Sequence, residues 1–137
     1  MKTNLVYLAG IVAILPLLVG CPTGSGLDLQ PVVGLVTFDG VPVEEGRIQF
    51  RSLEGDQRSY GGAVEDGKYA LESGTGPMRV EVRASRLVEG KFDESNPDEK
   101  VPIGEMYIPE MYNSRTELTA DVHPGGDSID FNLVTGK

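Results

Sequence analysis

The sequence predicts an all-β domain, a seven-stranded β-sandwich that follows an N-terminal signal peptide. Three observations lead to this prediction. Apolar and polar residues alternate over several short segments. Turn residues separate these segments, and 18 glycines and 9 prolines disfavour helices. No amphipathic helix of ordinary length fits anywhere after residue 21.

Each predicted strand presents one set of alternate residues to the core, which implies two sheets packed on a single core. The Asp-Gly pairs at Asp39-Gly40 and Asp66-Gly67 indicate tight turns between strands. The predicted strands are residues 32–38, 47–52, 59–64, 68–72, 78–87, 117–123 and 128–134. The residues predicted to face inward are Val32, Gly34, Val36, Phe38, Ile48, Phe50, Tyr69, Leu71, Met78, Val80, Val82, Ala84, Leu118, Ala120, Val122, Ile129, Phe131 and Leu133.

The first residues have the layout of a secretory signal. Lys2 supplies a positive charge, and the apolar stretch of residues 5–19 is too short to span a bilayer comfortably. The stretch ends in residues 18–21 (LVGC), which resemble the lipobox of bacterial lipoproteins. This resemblance implies cleavage after Gly20 and a diacylglycerol group on the sulfur of Cys21, the only cysteine of the chain. A plain signal peptide or an uncleaved anchor is the alternative.

This interpretation divides the chain into three parts. Residues 1–20 are the lipoprotein signal peptide, residues 21–30 a flexible spacer that carries the lipid on Cys21, and residues 31–137 the β-sandwich domain. We expect the protein to be lipid-anchored in the cell membrane or the outer membrane, facing the periplasm or the exterior. Pro22, in place of an aspartate after the lipidated cysteine, favours the outer membrane.

The charge balance excludes some partners. The formal net charge is −9, and removal of Lys2 with the signal peptide would make it −10. An acidic surface argues against nucleic acid, because basic contacts to phosphate dominate that affinity. It argues equally against adhesion of the domain itself to anionic lipid head groups.

Residues 33–50 (VGLVTFDGVPVEEGRIQF) resemble the opening of carboxypeptidase regulatory-like domains. Residues 62–71 (GAVEDGKYAL) resemble a hairpin of that family, and residues 76–82 (GPMRVEV) resemble a later strand more loosely. Residues 108–133 are similar to small bacterial lipoproteins that carry this domain. The resemblance implies a transthyretin-like (prealbumin, Ig-like) β-sandwich. It implies no shared catalytic residues, since family members serve as accessory, adhesive or ligand-binding modules.

Residues suited to catalysis are few. His123 is the only histidine, so a hydrolase of the nucleophile–base kind would depend on it. Its place before the turn of residues 124–126 favours a solvent-exposed side chain. One histidine and an acylated Cys21 cannot make the usual zinc site. We therefore expect no enzyme, no cofactor and no bound metal.

The segment of residues 89–110 is predicted as a long acidic loop. Its carboxylates at Asp93, Glu94, Asp98 and Glu99 offer oxygen ligands of the kind that calcium prefers. They could also supply a pair of carboxyl groups about 5–9.5 Å apart, which hydrolysis of an envelope polysaccharide requires. A solvated acidic loop without a ligand is the simpler interpretation.

Tyr107 and Tyr112 flank Ile108-Pro109. They could form an exposed aromatic surface for a glycan or a peptide. The favoured interpretation is that this turn closes one end of the sandwich, with a tyrosine hydroxyl bonded to the backbone.

These observations together predict a membrane-anchored, non-enzymatic binding or structural lipoprotein of the bacterial cell envelope. Its partners would be the membrane, through the lipid, and an envelope protein or glycan. The alternative is a carbohydrate-active or calcium-dependent adhesive module that uses residues 89–110.

Overall fold

The computed structural model describes residues 27–95 and 98–136. The predicted signal peptide and Cys21 lie outside these residues. Strands and one short 3-10 helix make up the regular structure of the described residues, so the all-β prediction is confirmed for this part of the chain. The elements are β1 (Gln30–Phe38), β2 (Val41–Pro42), β3 (Glu45–Ser52), β4 (Ser59–Glu65), β5 (Lys68–Ser73), β6 (Gly76–Arg83), β7 (Ser85–Asp93), β8 (Val101–Met106), the 3-10 helix (Glu110–Tyr112), β9 (Thr119–Val122), β10 (Asp127–Ser128) and β11 (Phe131–Leu133).

Nine of the strands in the described ranges belong to one sheet. Its order is β10-β1-β5-β4-β3-β6-β9, and β2 and β11 also pair with β1. The pairs are antiparallel except those of β1 with β10 and β11, which are parallel. The alternation predicted two sheets packed face to face. The structure instead has one hydrogen-bonded sheet that curls around the core, and β7 and β8 form a small second sheet. Within the described residues, no helix has the length and apolar character that a membrane span requires.

The curled sheet encloses the predicted inward-facing residues. Ile48, Phe50 and Val80 are completely buried, as their alternation with polar neighbours predicted. The ring of Phe50 lies at the centre, with its centroid 6.2 Å from that of Tyr69 and 6.1 Å from that of Phe131. Aromatic pairs at this separation stabilise a core beyond the area they bury.

Both Asp-Gly turns are confirmed. Asp39 and Gly40 have φ angles of 50° and 81° between β1 and β2, and Asp66 and Gly67 have φ angles of 49° and 75° between β4 and β5. A two-residue turn with positive φ at both positions matches the twist of the strands it joins.

The sequence prediction was wrong between residues 78 and 110. The predicted strand of residues 78–87 ends at Arg83, and a new strand begins at Ser85. Most of the predicted long loop is instead the hairpin of β7 and β8, followed by the 3-10 helix. Nearly every residue of this hairpin is exposed on both faces. The hairpin therefore lacks the apolar alternation that identifies a half-buried strand.

The C-terminal segment crosses β1 at Gly34. A Cβ atom at Gly34 would lie 1.8 Å from the carbonyl oxygen of Ile129. The Ile129 N–H donates to the Val33 carbonyl at 2.8 Å, and the Tyr69 hydroxyl donates to the Ile129 carbonyl at 2.7 Å. Burial raises the pKa of the Tyr69 hydroxyl, so it remains a donor at neutral pH. Only glycine permits this close approach.

Gly34→Ala should therefore destabilise the protein by about 3 kcal/mol, because the added methyl group meets backbone that cannot move without breaking two hydrogen bonds. Urea unfolding followed by circular dichroism measures the change. The matched control is Gly61→Ala, since a Cβ at Gly61 would have its nearest neighbour at 3.5 Å. We expect the control to change stability by less than about 0.5 kcal/mol. Equal stability of the Gly34→Ala and Gly61→Ala variants would contradict the close approach of Ile129 to Gly34.

Candidate functional site

A groove of about 780 Å³ opens where β1 ends and β7 begins. This volume lies within the range of pockets that hold small ligands or a few residues of a peptide. The groove takes its walls from the β1–β2 turn, the start of β3, the start of β7, the segment after β8 and the C-terminal segment. Its lining residues are Phe38, Asp39, Val41, Pro42, Glu44, Glu45, Ser85, Arg86, Leu87, Tyr107, Pro109 and Thr135.

The turn after β1 holds one wall in place. The Asp39 N–H donates to the Leu133 carbonyl at 2.8 Å. The Asp39 carboxylate accepts from the Thr135 N–H at 2.8 Å and from the Thr135 hydroxyl. These hydrogen bonds hold the pKa of Asp39 below its ordinary value. The first strand is thereby attached to the last residues of the domain.

Tyr107 forms the floor of the groove. Its ring packs edge-on against Phe38 with centroids 5.8 Å apart, and the guanidinium carbon of Arg86 lies 5.7 Å from its centroid. The Tyr107 N–H donates to the Ala84 carbonyl at 3.2 Å, which joins the end of β8 to the start of β7. Partial burial, followed by the negative charge of Glu44, raises the pKa of the Tyr107 hydroxyl, while Arg86 opposes this shift.

The groove combines apolar walls with an acidic rim. Val41 and Leu87 are 64% and 69% exposed, which is unusual for large aliphatic side chains. Three lining residues are acidic, and Arg86 is the one basic residue among them. Such a site favours a ligand with apolar surface, and its electrostatic potential disfavours an anionic one.

The exposed apolar surface continues along the β7–β8 hairpin. A two-stranded hairpin with no covered face is marginally stable by itself in water. Exposed large apolar residues on such an element offer surface for an interaction. The large apolar side chains concerned are Leu87, Phe92, Val101, Ile103 and Met106, which are 41–69% exposed.

Tyr112 does not belong to an exposed aromatic surface. It is 7% exposed, and its hydroxyl oxygen accepts from the Val134 N–H at 3.2 Å. The adjacent Asn113 amide donates to the carbonyls of Ile108 and Pro109, each at 3.0 Å. The turn thus packs on the end of the core, whereas the half-buried Tyr107 faces the groove. The structure separates two tyrosines that the sequence analysis treated together.

The predicted acidic residues lie at the tip of the hairpin. Asp93 ends β7, and its carboxylate accepts from the N–H of Ser95 at 2.9 Å and from the Ser95 hydroxyl, which lowers the pKa of Asp93. Glu94, Asp98 and Glu99 follow in the connection to β8. In the ranges that the structure describes, no three acidic, histidine or cysteine side chains converge on a metal position. Residues 96–97 lie outside those ranges, and calcium binding here stays a prediction.

His123 lies at the opposite end of the sheet from the groove. Its side chain is 67% exposed, and its Nδ1 atom lies 3.2 Å from a carboxylate oxygen of Asp127. The His123 N–H also donates to the Asp127 carboxylate at 2.6 Å, and this bond is the main reason that the pKa of Asp127 is lowered. The contacts between His123 and Asp127 stabilise the turn between β9 and β10.

The groove itself was not predicted from the sequence. Its residues belong to segments that are up to about 97 positions apart, from Phe38 to Thr135. The one local signal is Val41-Pro42, an apolar pair directly after a turn. Tyr107 was the only groove residue that the sequence analysis singled out as a candidate.

The chain matches no protein-family model, and no curated protein matches it in sequence. Among solved structures, the crystal structure of a 9R-lipoxygenase from Cyanothece PCC8801 is similar over 79% of this chain, with 12% identity and a TM-score of 0.40. The aligned part is 16% of the lipoxygenase chain. A similarity at this level supports no argument about function.

Tyr112→Phe should reduce stability by about 1 kcal/mol, because the Val134 N–H loses its acceptor. Thermal and urea unfolding measure this loss. Tyr107→Phe is the matched control, since no hydrogen bond joins the Tyr107 hydroxyl to any other described residue. Its stability should stay within about 0.5 kcal/mol of the wild type. A larger loss for Tyr107→Phe than for Tyr112→Phe would contradict these roles.

Proposed function

We propose that this protein is a non-enzymatic binding lipoprotein of the bacterial cell envelope, anchored by a lipid on Cys21. Its domain is a transthyretin-like β-sandwich of the carboxypeptidase regulatory-like kind, and its groove receives an envelope protein or glycan. The residues that resemble the lipobox and the family pattern support the anchor and the fold assignment. The groove supports the binding role.

The position of the groove is the observation that carries this proposal. β1 begins at Gln30, the last residue of the predicted spacer, and ends at Phe38 in the groove. Nine residues of β-strand extend about 27 Å. A lipid at Cys21 would therefore be attached to the end of β1 that lies farther from the groove.

The chemistry of the groove favours binding over acid–base catalysis. Two hydrogen bonds from Thr135 stabilise the ionised carboxyl of Asp39 and hold its pKa below the ordinary value. A general acid needs the opposite shift, toward a higher pKa. The apolar residues Val41 and Leu87 instead offer surface that a ligand would remove from water, a favourable term of about 25 cal/mol per Å².

Cys21→Ser should release the domain from the membrane without unfolding it. The lipid contributes about 0.8 kcal/mol per buried methylene, and serine has no sulfur to accept it. Metabolic labelling with a radioactive or alkyne-bearing fatty acid, followed by membrane fractionation, measures the effect. Wild-type protein should carry the label and sediment with membranes. An unlabelled wild-type protein would overturn the lipid anchor, whatever the result for the groove.

The groove should bind a neutral apolar dye such as Nile red. Val41→Gln combined with Leu87→Gln should weaken dye binding about tenfold, because two exposed walls become polar. The matched control combines Val33→Gln with Leu35→Gln, two side chains that are each 46% exposed on β1 but do not line the groove. Fluorescence titration of the full chain compares the dye affinities of the two double variants with that of the wild type. Equal loss in both would show that the dye binds elsewhere and would count against the groove.

A further inference from the structure

Four arginines form a strip on the outer face of the curled sheet. Arg47 and Arg51 lie on β3, and Arg79 and Arg83 lie on the adjacent strand β6. The register places Arg47 directly opposite Arg83 and Arg51 directly opposite Arg79. All four side chains are exposed, whereas the alternate residues of both strands are buried in the core. The strip concentrates positive charge on a protein whose net charge is −9.

This arrangement opposes folding stability. Like charges directly opposite on antiparallel strands repel each other. Arg83 has an ion pair with Glu81 at 3.2 Å, and the Nε atom of Arg51 lies 3.4 Å from the Ser59 hydroxyl. No carboxylate of the described residues pairs with Arg47 or Arg79. The register therefore places these four arginines on one face, and the ion pair with Glu81 neutralises only Arg83.

The surface beside the strip is flat. The residues of β4 that face outward next to β3 are Ser59, Gly61 and Ala63, which are all small. A Cβ atom at Gly61 would lie 3.8 Å from two guanidinium nitrogens of Arg47, so this side chain extends over the glycine. The strip thus lies beside a row of small residues on β4.

The spacing of the charges indicates an extended ligand. The two opposed pairs are four residues apart along each strand, which corresponds to about 13 Å. A single phosphate or carboxylate cannot reach both pairs, but a linear chain with repeated anionic groups can. Each guanidinium can hold a carboxylate with two parallel hydrogen bonds.

The surroundings of the strip disfavour a membrane surface. Glu45 and Glu65 are paired beyond Arg47 at one end, and Asp121 lies on the neighbouring strand β9 at the other. A flat anionic bilayer would contact these carboxylates together with the arginines. A narrow polymer can avoid these carboxylates. It would pass Glu81, which lies on the same face between Arg79 and Arg83, but this side chain is only 18% exposed and is ion-paired with Arg83.

The side chains of this face also disfavour single-stranded nucleic acid. Proteins that bind it on a sheet stack its bases on aromatic rings. The outward-facing residues of β3, β4 and β6 include no aromatic residue, and Phe50 and Tyr60 face the inner side. We propose that the strip of Arg47, Arg51, Arg79 and Arg83 binds a linear polysaccharide that carries carboxylate groups. None of these four arginines lines the groove.

Binding of the full chain, held in phosphatidylcholine nanodiscs, to immobilised polygalacturonate at low ionic strength tests the proposal. Arg47→Gln combined with Arg79→Gln should weaken binding at least about tenfold, because each opposed pair loses the member that has neither an ion pair nor a side-chain hydrogen bond among the described residues. The melting temperature should stay equal or rise, since repulsion is relieved. This result separates lost binding from lost folding.

The matched control combines Lys91→Gln with Arg115→Gln, which changes the net charge equally at two exposed positions elsewhere. Its affinity should stay within about twofold of the wild type, because remote surface charges are screened. Absence of binding by the wild type, or equal loss in both variants, overturns the proposal. So does tighter arginine-dependent binding to single-stranded DNA or to phosphatidylglycerol vesicles. Val41→Gln alone should weaken dye binding but leave polygalacturonate binding unchanged, because Val41 lines the groove and not the pocket that includes Arg47 and Arg83. The strip and the groove can therefore fail independently.

Discussion

The approach of the C-terminal segment to β1 at Gly34 is the constraint on which the architecture depends. Because Gly34 has no side chain, the Ile129 carbonyl can lie against β1 and accept a hydrogen bond from the hydroxyl of Tyr69 on β5. β10 and β11 then pair in parallel with β1 on either side of this crossing. The last strands of the chain thus close the core that Phe50 fills, and a larger residue at position 34 would keep them away.

This closure also creates the two surfaces to which we assign function. Pairing of β11 with β1 brings Thr135 to Asp39, which completes one wall of the groove. Every alternate side chain of β3 and β6 points to the outer face, where the register places the arginines opposite each other. The inner face therefore provides stability through apolar burial. The outer face and one end remain available for ligands, with opposite charge: an acidic rim at the groove and a basic strip on the sheet.

Local sequence patterns were sufficient for most of the main sheet. Alternation located β3, β4 and β5 to within two residues, and the Asp-Gly pairs located two turns, because burial on one face and positive φ both leave a local signal. The β7–β8 hairpin has no such local signal in the sequence, since both of its faces are exposed. Tyr107 and Tyr112 have the same residue type and similar neighbours in sequence. Their different roles come from contacts with Phe38 and Val134, which are distant in the chain.

By itself, the sequence determined the all-β class, the inward-facing residues and the two turns, because each follows from the properties of adjacent residues. It also predicts lipid attachment, since that signal is a short linear pattern ending at Cys21. Only the tertiary structure decided how the sheet curls, which residues form the groove and which arginines lie opposite each other. These features depend on pairings such as Arg47 with Arg83 and Asp39 with Thr135. Such pairings are selected by the packing of the whole core, and no local pattern encodes them.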